Sequence, residues 1–327
     1  MRLWRRQFLH LGAGAAALPT LLLPSLVQAQ SYPARPVRLV VGYAAGGPGD
    51  ALIRLTGQWL SERLGQPFVV ENRPGAGSNI AAEAVVKAPP DGHTLLYVTP
   101  ANAINVTLYS KLGFDFIRDI TPVAGLIRVP NVMVVHPSVP AANVSELIAY
   151  AKANPDKLSQ AAGGVGTSGH LAGELFKMMA GIRMVLVPYR GGAPAVTDLL
   201  VGQVQVYFGP ISATIEHIRA GKLRALAVTT AARSATLPDV PTMAESLPGY
   251  EASTFQGLGA PKDTPADVVA RLNKEINAAF ADPKIRTWLA DQGGSTLPGS
   301  PADFGRLIAD ETAKWAKVIR FAGIKPS

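Results

Sequence analysis

The chain has 327 residues, 48% of them apolar and only 17% charged, which excludes a disordered chain and supplies apolar side chains for one large or two ordinary cores. It contains no cysteine, which excludes disulfide frameworks, thiolate catalysis and Cys-ligated zinc. The net charge of +8 is carried by scattered Lys and Arg residues, without basic runs, zinc-finger spacing or RNA-binding aromatic patterns, so no nucleic acid partner is expected.

The first residues read as an export address. Arg2, Arg5 and Arg6 precede an apolar stretch from Leu11 to Leu23, and no acidic residue occurs before Asp50. Val27-Gln28-Ala29 places small or short side chains at the −3 and −1 positions of a cleavage site. Residues 1–29 are therefore expected to be a cleaved signal peptide, and its loss would remove three arginines and lower the charge to +5. Arg5-Arg6-Gln7-Phe8-Leu9 resembles a twin-arginine export signal, with Trp4 where Ser or Thr is usual. The apolar run is too short and too rich in Gly and Ala for a membrane anchor, which needs about 20 apolar residues. The expected location is periplasmic.

From there short apolar runs alternate with helical patterns. Val37–Val41 reads as a buried strand, Asp50–Leu64 as a helix stopped by Gly65, Phe68–Val70 as a strand, Ile80–Lys87 as a helix and Thr94–Val98 as a strand. Val132–Val135 restarts the pattern, followed by Val144, Leu147, Ile148 and Ala151 at helical spacing. Further strands are expected at Met184–Val187, Val204–Phe208 and Leu223–Val228, the last two joined by a helix around 211–220. Strands separated by helices imply βαβ units and largely parallel sheets. From Pro265 onward the pattern is helical only, so these helices need a sheet built elsewhere. The expectation is an α/β protein of two lobes: 30–128 and 252–327 form the first, and 129–251 the second. Two chain crossings, near Val123–Val129 and Thr254–Ala260, would form the hinge.

Two Gly-rich turns stand between a strand and a helix, one in each block: Gly42–Asp50 and Gly163–His170. Glycine lets backbone approach a ligand, and a helix start offers free N–H groups and partial positive charge, so a carboxylate or phosphate is the natural guest. Gly164-Val165-Gly166-Thr167-Ser168-Gly169 formally matches a dinucleotide fingerprint, but the region of the next strand end, Val187–Arg190, offers no acidic residue for a ribose. Gly166–His170 is not the nucleophile elbow of hydrolases, because His170 follows where Gly belongs. The five histidines show no metal-binding spacing. Neither a cofactor nor a metal is expected. His170, at a helix start beside a Gly-rich loop, is the one candidate site histidine. Arg190 could meet a carboxylate, or serve only as a structural or exposed side chain.

Taken together, Tyr43–Asp50, Glu71–Gly77, Pro90–Leu96, Gly166–Phe176 and Pro188–Gly191 resemble the substrate-binding proteins of tripartite tricarboxylate transporters, the Bug family, in order along essentially the whole mature chain. The resemblance implies a type II periplasmic-binding-protein fold, two α/β lobes joined by a two-crossing hinge, closing over a small carboxylate: a di- or tricarboxylate, an acidic amino acid or an aromatic acid. It implies integral-membrane transporter subunits as partners, no enzymatic activity, and a monomer, since one chain supplies both walls of its cleft. Carried over by motif, the ligand-binding candidates are Tyr43, Gly46, Gly47 and Asp50 in one lobe and Gly166, Thr167, Ser168 and His170 in the other. Asn79, Thr99, Asn102, Tyr189 and Gly209 are positional candidates. Many relatives carry Asp where this chain has Gly209, which makes a ligand ammonium group less expected. Two other readings stay open at the level of sequence: a sensor presenting a carboxylate to a signalling receptor, and a periplasmic hydrolase using Ser168 and His170.

Overall fold

The computed structural model describes residues 32–291 and 293–325; the expected signal peptide lies outside them. Two sheets organise the described chain. The first contains β1 (Val37–Val41), β2 (Phe68–Asn72), β3 (Thr94–Val98), β4 (Ile120–Val129), β10 (Thr254–Pro261) and β11 (Ser295–Thr296), in the order β11-β4-β10-β3-β1-β2. The second contains β5 (Asn131–Val135), β6 (Ser159–Ala162), β7 (Val185–Pro188), β8 (Val206–Pro210) and β9 (Arg224–Val228), in the order β7-β6-β8-β5-β9. The helices are α1 (Pro48–Leu64), α2 (Asn79–Val86), α3 (Pro100–Leu108), α4 (Phe116–Asp119), α5 (Val144–Ala153) and α6 (Ser168–Ala180). After them come α7 (Gly192–Leu200), α8 (Ile215–Arg219), α9 (Met243–Ser246), α10 (Ala266–Ala281), α11 (Pro283–Asp291) and α12 (Pro301–Ala322).

The period of two along each strand feeds two cores per sheet. Val37, Leu39 and Val41 join Leu52, Ile53, Leu272 and Ile276 beneath α1 and α10, while Val40, Leu96 and Val98 join Ala81, Val85, Phe304 and Ile308 on the opposite face. The second sheet repeats the scheme, with Met133 and Val135 on one face and Val132 and Val134 on the other. Covered on both sides, β3 and β5 are buried at every position and so read as unbroken apolar runs.

Both sheets share one topology. β1 pairs in parallel with β2 and β3, as β6 does with β7 and β8. In each, one antiparallel strand is inserted beside the third parallel strand: β10 against β3, and β5 against β8. Each inserted strand is the one that arrives from the other sheet. Only Pro130 separates β4 from β5, and β4 pairs antiparallel with β10 from Ile120 opposite Pro261 to Val129 opposite Thr254. That pairing sets the two crossings side by side, and beyond it Thr229, at the end of β9, stands between them: Asn131 accepts its N–H (2.9 Å), and it accepts the Ala252 N–H (3.0 Å).

β6 is Ser-Gln-Ala-Ala, too small and polar to signal a strand, and α3 and the short α4 and α9 are not among the expected elements. The segments 123–129 and 254–260, expected as bare crossings, belong to the strands β4 and β10, and the two-residue β11 lies in a region expected to be helical only. The C-terminal region is also not confined to the first sheet. Phe304 and Ile308 of α12 pack under the first sheet, whereas Trp315, Val318 and Ile319 join the core of the second, together with Ile104 and Leu108 of α3. Helices α3 and α12 therefore bridge the two halves, in addition to the two crossings.

Candidate functional site

In parallel α/β sheets ligands gather at the carboxyl ends of the strands, where helix starts point back toward the opening. The first such end is the turn from β1 to α1. A Cβ on Gly42 would lie 1.9 Å from Ser78 Oγ, so the exit of β1 packs directly on the turn that precedes α2. Gly46 takes φ +90°, which L side chains rarely adopt. Its N–H donates to Asp50 Oδ2 (3.1 Å), an oxygen that also accepts from Arg54 Nε (2.8 Å), while Asn72 Nδ2 donates to Asp50 Oδ1 (2.9 Å) and to the Tyr43 carbonyl (3.0 Å). Asp50 is 6% exposed. The hydrogen bonds from Arg54, Asn72 and Gly46 hold its carboxyl down at about 2, against 3.8 ordinarily. It is an ionised hub that shapes the turn. The start of α1 has no side-chain cap.

The second end is β3 to α3. Thr99 caps α3 reciprocally with Asn102, whose Oδ1 accepts the Thr99 N–H at 2.9 Å. Tyr43 and Thr99 hydroxyls are 2.9 Å apart. Asn105 Nδ2 donates to the Gly77 carbonyl (2.8 Å) and to Asn79 Oδ1 (2.9 Å), tying α3 to the turn before α2.

Across the cleft, β6 runs through Gly163–Thr167 into α6, with positive φ at Gly164 and Gly166. Thr167 caps α6 by accepting the His170 N–H at 3.3 Å and donates its hydroxyl to the Gly164 carbonyl at 2.8 Å. His170 is 1% exposed, and its Nδ1 accepts the Gly166 N–H at 3.0 Å. Its Nε2 lies 3.4 Å from Glu174 Oε1, which Lys177 Nζ approaches to 2.7 Å. Burial works to raise the Glu174 carboxyl, but His170 and Lys177 prevail and hold it below its usual range. A Cβ on Gly169 would meet the Phe208 carbonyl oxygen at 2.2 Å, so α6 starts in direct contact with β8.

A cavity of about 530 Å³ opens between these loops, lined by Tyr43, Gly47, Asp50 and Thr99 on one side and Gly166, Thr167 and Ser168 on the other. A second cavity of about 670 Å³ shares Thr167 and Ser168 in its lining and is also lined by Gly209. Among the described residues, no Lys or Arg lines either one. Of the thirteen candidates, eight line the two cavities and five do not. Gly46 spends its N–H on Asp50, Asn102 caps α3, and Asn79 braces the turn before α2. Tyr189 donates its hydroxyl to Asp198 at 2.7 Å, and His170 is turned away toward Gly166 and Glu174. These five are placed to hold the loops. Among the described residues no hydrogen bond joins Ser168 to His170, so a hydrolytic pair is not assembled. Nor does any cluster of three His, Asp or Glu side chains there stand ready for a metal.

Tyr97, Asn105, Thr254 and Gln256 also line the first cavity and were not singled out from sequence. Thr254 and Gln256 arrive on β10, and nothing local in their segment marks them. Only the pairing of the return strand with β3 and β4 brings them to the cleft, where Gln256 accepts a hydrogen bond from the Tyr97 hydroxyl.

Two sheets of one topology, with helix starts from both opening on a shared cleft that no described Lys or Arg lines, define a two-lobed solute-binding protein of the type II class. Residues 52–324 match the family model described as tripartite tricarboxylate transporter family receptor, and the chain belongs to that family. Protein BugT of Bordetella pertussis is 37% identical over 302 residues, covering 91% of this chain and 93% of its own. The solved structure of Rpa4515 from R. palustris with adipate is 41% identical, with a TM-score of 0.76 over 90% of this chain and all of that one. MatC from Rhodopseudomonas palustris with bound malate is 33% identical, with a TM-score of 0.71 over 88% of this chain and all of that one. The family is one of periplasmic solute-binding proteins rather than enzymes. Among the described residues no helix is long and apolar enough to cross a membrane.

Proposed function

We propose that this chain is exported with residues 1–29 as its cleaved signal and captures a small carboxylate in the periplasm, a di- or tricarboxylate or an aromatic acid. It then presents this ligand, as a monomer without catalytic activity, to the integral-membrane subunits of a tripartite tricarboxylate-type transporter. The observation that carries the reading is the shared cavity, on which the starts of α1, α3 and α6 open from both halves. Backbone N–H groups and hydroxyls there can neutralise an anion without a basic side chain. Asp50 does not oppose an anion as a free charge would, because Gly46, Arg54 and Asn72 already surround it. The adipate and malate held by the two relatives support the ligand class. Closure is favoured only by a ligand that binds the closed state better than the open one, and donors on both walls provide that difference.

The test is a thermal-shift screen of the mature protein against di-, tri- and aromatic carboxylates. A ligand at 100 times its dissociation constant adds about 2.7 kcal/mol of stability, a rise of several degrees in Tm. Folded protein, free of co-purified ligand, that responds to no member of the panel overturns the carboxylate reading.

A further inference from the structure

The second cavity contains a hydrogen-bond donor carried on β8. Tyr207 is 3% exposed, yet its side chain lines this cavity. Among the described residues its hydroxyl has no hydrogen-bond partner, and burial alone pushes its phenol upward, so it stays protonated and able to donate. The hydroxyl is thus free to donate to a guest in the cavity.

Strand geometry aims it. Tyr207 and Gly209 lie two residues apart on β8 and share a face. A Cβ on Gly209 would fall 2.1 Å from Tyr207 Cε1 and 2.4 Å from its Oη, so the ring lies over the space that glycine leaves empty. The hydroxyl is thereby carried to the carboxyl end of the strand, where a Cβ on Gly192, the first residue of α7, would lie 3.0 Å from Oη. Helix α7 has nine residues and begins behind Gly191 with no side-chain cap. The phenol therefore reaches the first residue of α7, whose opening N–H donors are Gly192 and Ala193, Pro194 having none. The other walls are Val196, Leu200, Phe208 and Ala213 with Thr197 and His217, and among the described lining residues there is no carboxylate.

Resting on the carboxylate reading, we infer that this chamber is a second acid-binding subsite, in which the Tyr207 hydroxyl and the start of α7 hold the distal carboxylate of an elongated dicarboxylate whose near end sits in the first cavity. The apolar walls suit the methylene chain between the two acid groups, and Thr167 and Ser168 line both chambers, which is where the ligand would pass from one to the other. Gly209 is required because any side chain there would displace the phenol.

The test is calorimetric titration of the mature protein with adipate against hexanoate and pimelate against heptanoate, pairs that differ only in the distal acid. Wild-type protein is expected to prefer the dicarboxylate of each pair. Tyr207→Phe, which keeps the ring, lowers that preference about tenfold or more, the worth of a hydrogen bond to a charged group. Gly209→Ala pushes the ring aside and lowers it likewise, with circular dichroism confirming that each variant is folded. A preference that is absent in wild type, or unchanged in both variants, overturns the inference. So does equal weakening of both ligands of a pair, which marks a purely structural role. Binding of monocarboxylates and dicarboxylates alike leaves the carboxylate reading standing while this one fails; no binding by any of the four compounds or the wider panel overturns both.

Discussion

Replacing Asp50 by Asn tests whether the first anion cradle is held by an ionised hub. The substitution keeps the volume, but one of two acceptor oxygens becomes an amide donor. In either orientation that amide faces a donor: Gly46 N–H and Arg54 on one side, Asn72 Nδ2 on the other. Arg54 is half exposed and contributes little through charge alone. The loss therefore rests on the hydrogen bonds to Gly46 and Asn72, made by a side chain 6% exposed. Removing a charge-assisted bond at a buried site costs about 1.5–3 kcal/mol, so a destabilisation of about 2–3 kcal/mol is expected at pH 7. The folded carboxyl titrates at about 2, below its ordinary 3.8. Its contribution is thus complete above the unfolded value and is lost as pH falls toward the folded one, between about pH 5 and pH 2. Urea denaturation of wild type and Asp50→Asn at several pH values from 7 to 3 should show a gap that narrows on acidification. An unchanged midpoint at pH 7, or a gap independent of pH, refutes the hub.

His170→Phe removes the acceptor of the Gly166 N–H without altering the lining of the cleft; a loss of about 1–3 kcal/mol is expected, with weaker binding of whichever carboxylate the screen identifies. Wild-type stability and affinity would show that the loop holds itself. Trp315→Ala should cost about 3–5 kcal/mol in urea denaturation, because Trp315 is 1% exposed and its Nε1 donates to Glu311 Oε2 at 2.7 Å. A loss below 1 kcal/mol would mean that the second half of α12 is not part of the common core.

The bridge formed by α3 and α12 bears on how the cleft can close. Both helices carry residues of the second sheet's core while starting on the first sheet. Motion about the paired crossings at Val129–Pro130 and Ser253–Thr254 must therefore keep or slide these contacts. Ile104 and Leu108 of α3 also line the first cavity, and a Cβ on Gly166 would lie 3.1 Å from Leu108 Cδ2. Packing between the two halves thus already reaches the cleft wall at Leu108 and Gly166.

Local patterns determined much of this protein. Runs such as Val37–Val41 and Val132–Val135 announce buried strands because both faces of each sheet are covered. Glycines before α1 and α6 announce helix starts where backbone must turn through positive φ. What the sequence left open is everything set by partners distant in the chain. β6 is a strand because β7 and β8 flank it, not because Ser-Gln-Ala-Ala favours one. Gln256 reaches the cleft through antiparallel pairing with segments more than a hundred residues away. Tyr207 looks like one more core aromatic until Gly209 beneath it and α7 beside it show where its hydroxyl goes. Local sequence sets which segments form strands and helices; the direction and pairing of a side chain's polar atom depend on neighbours that only the folded chain brings together.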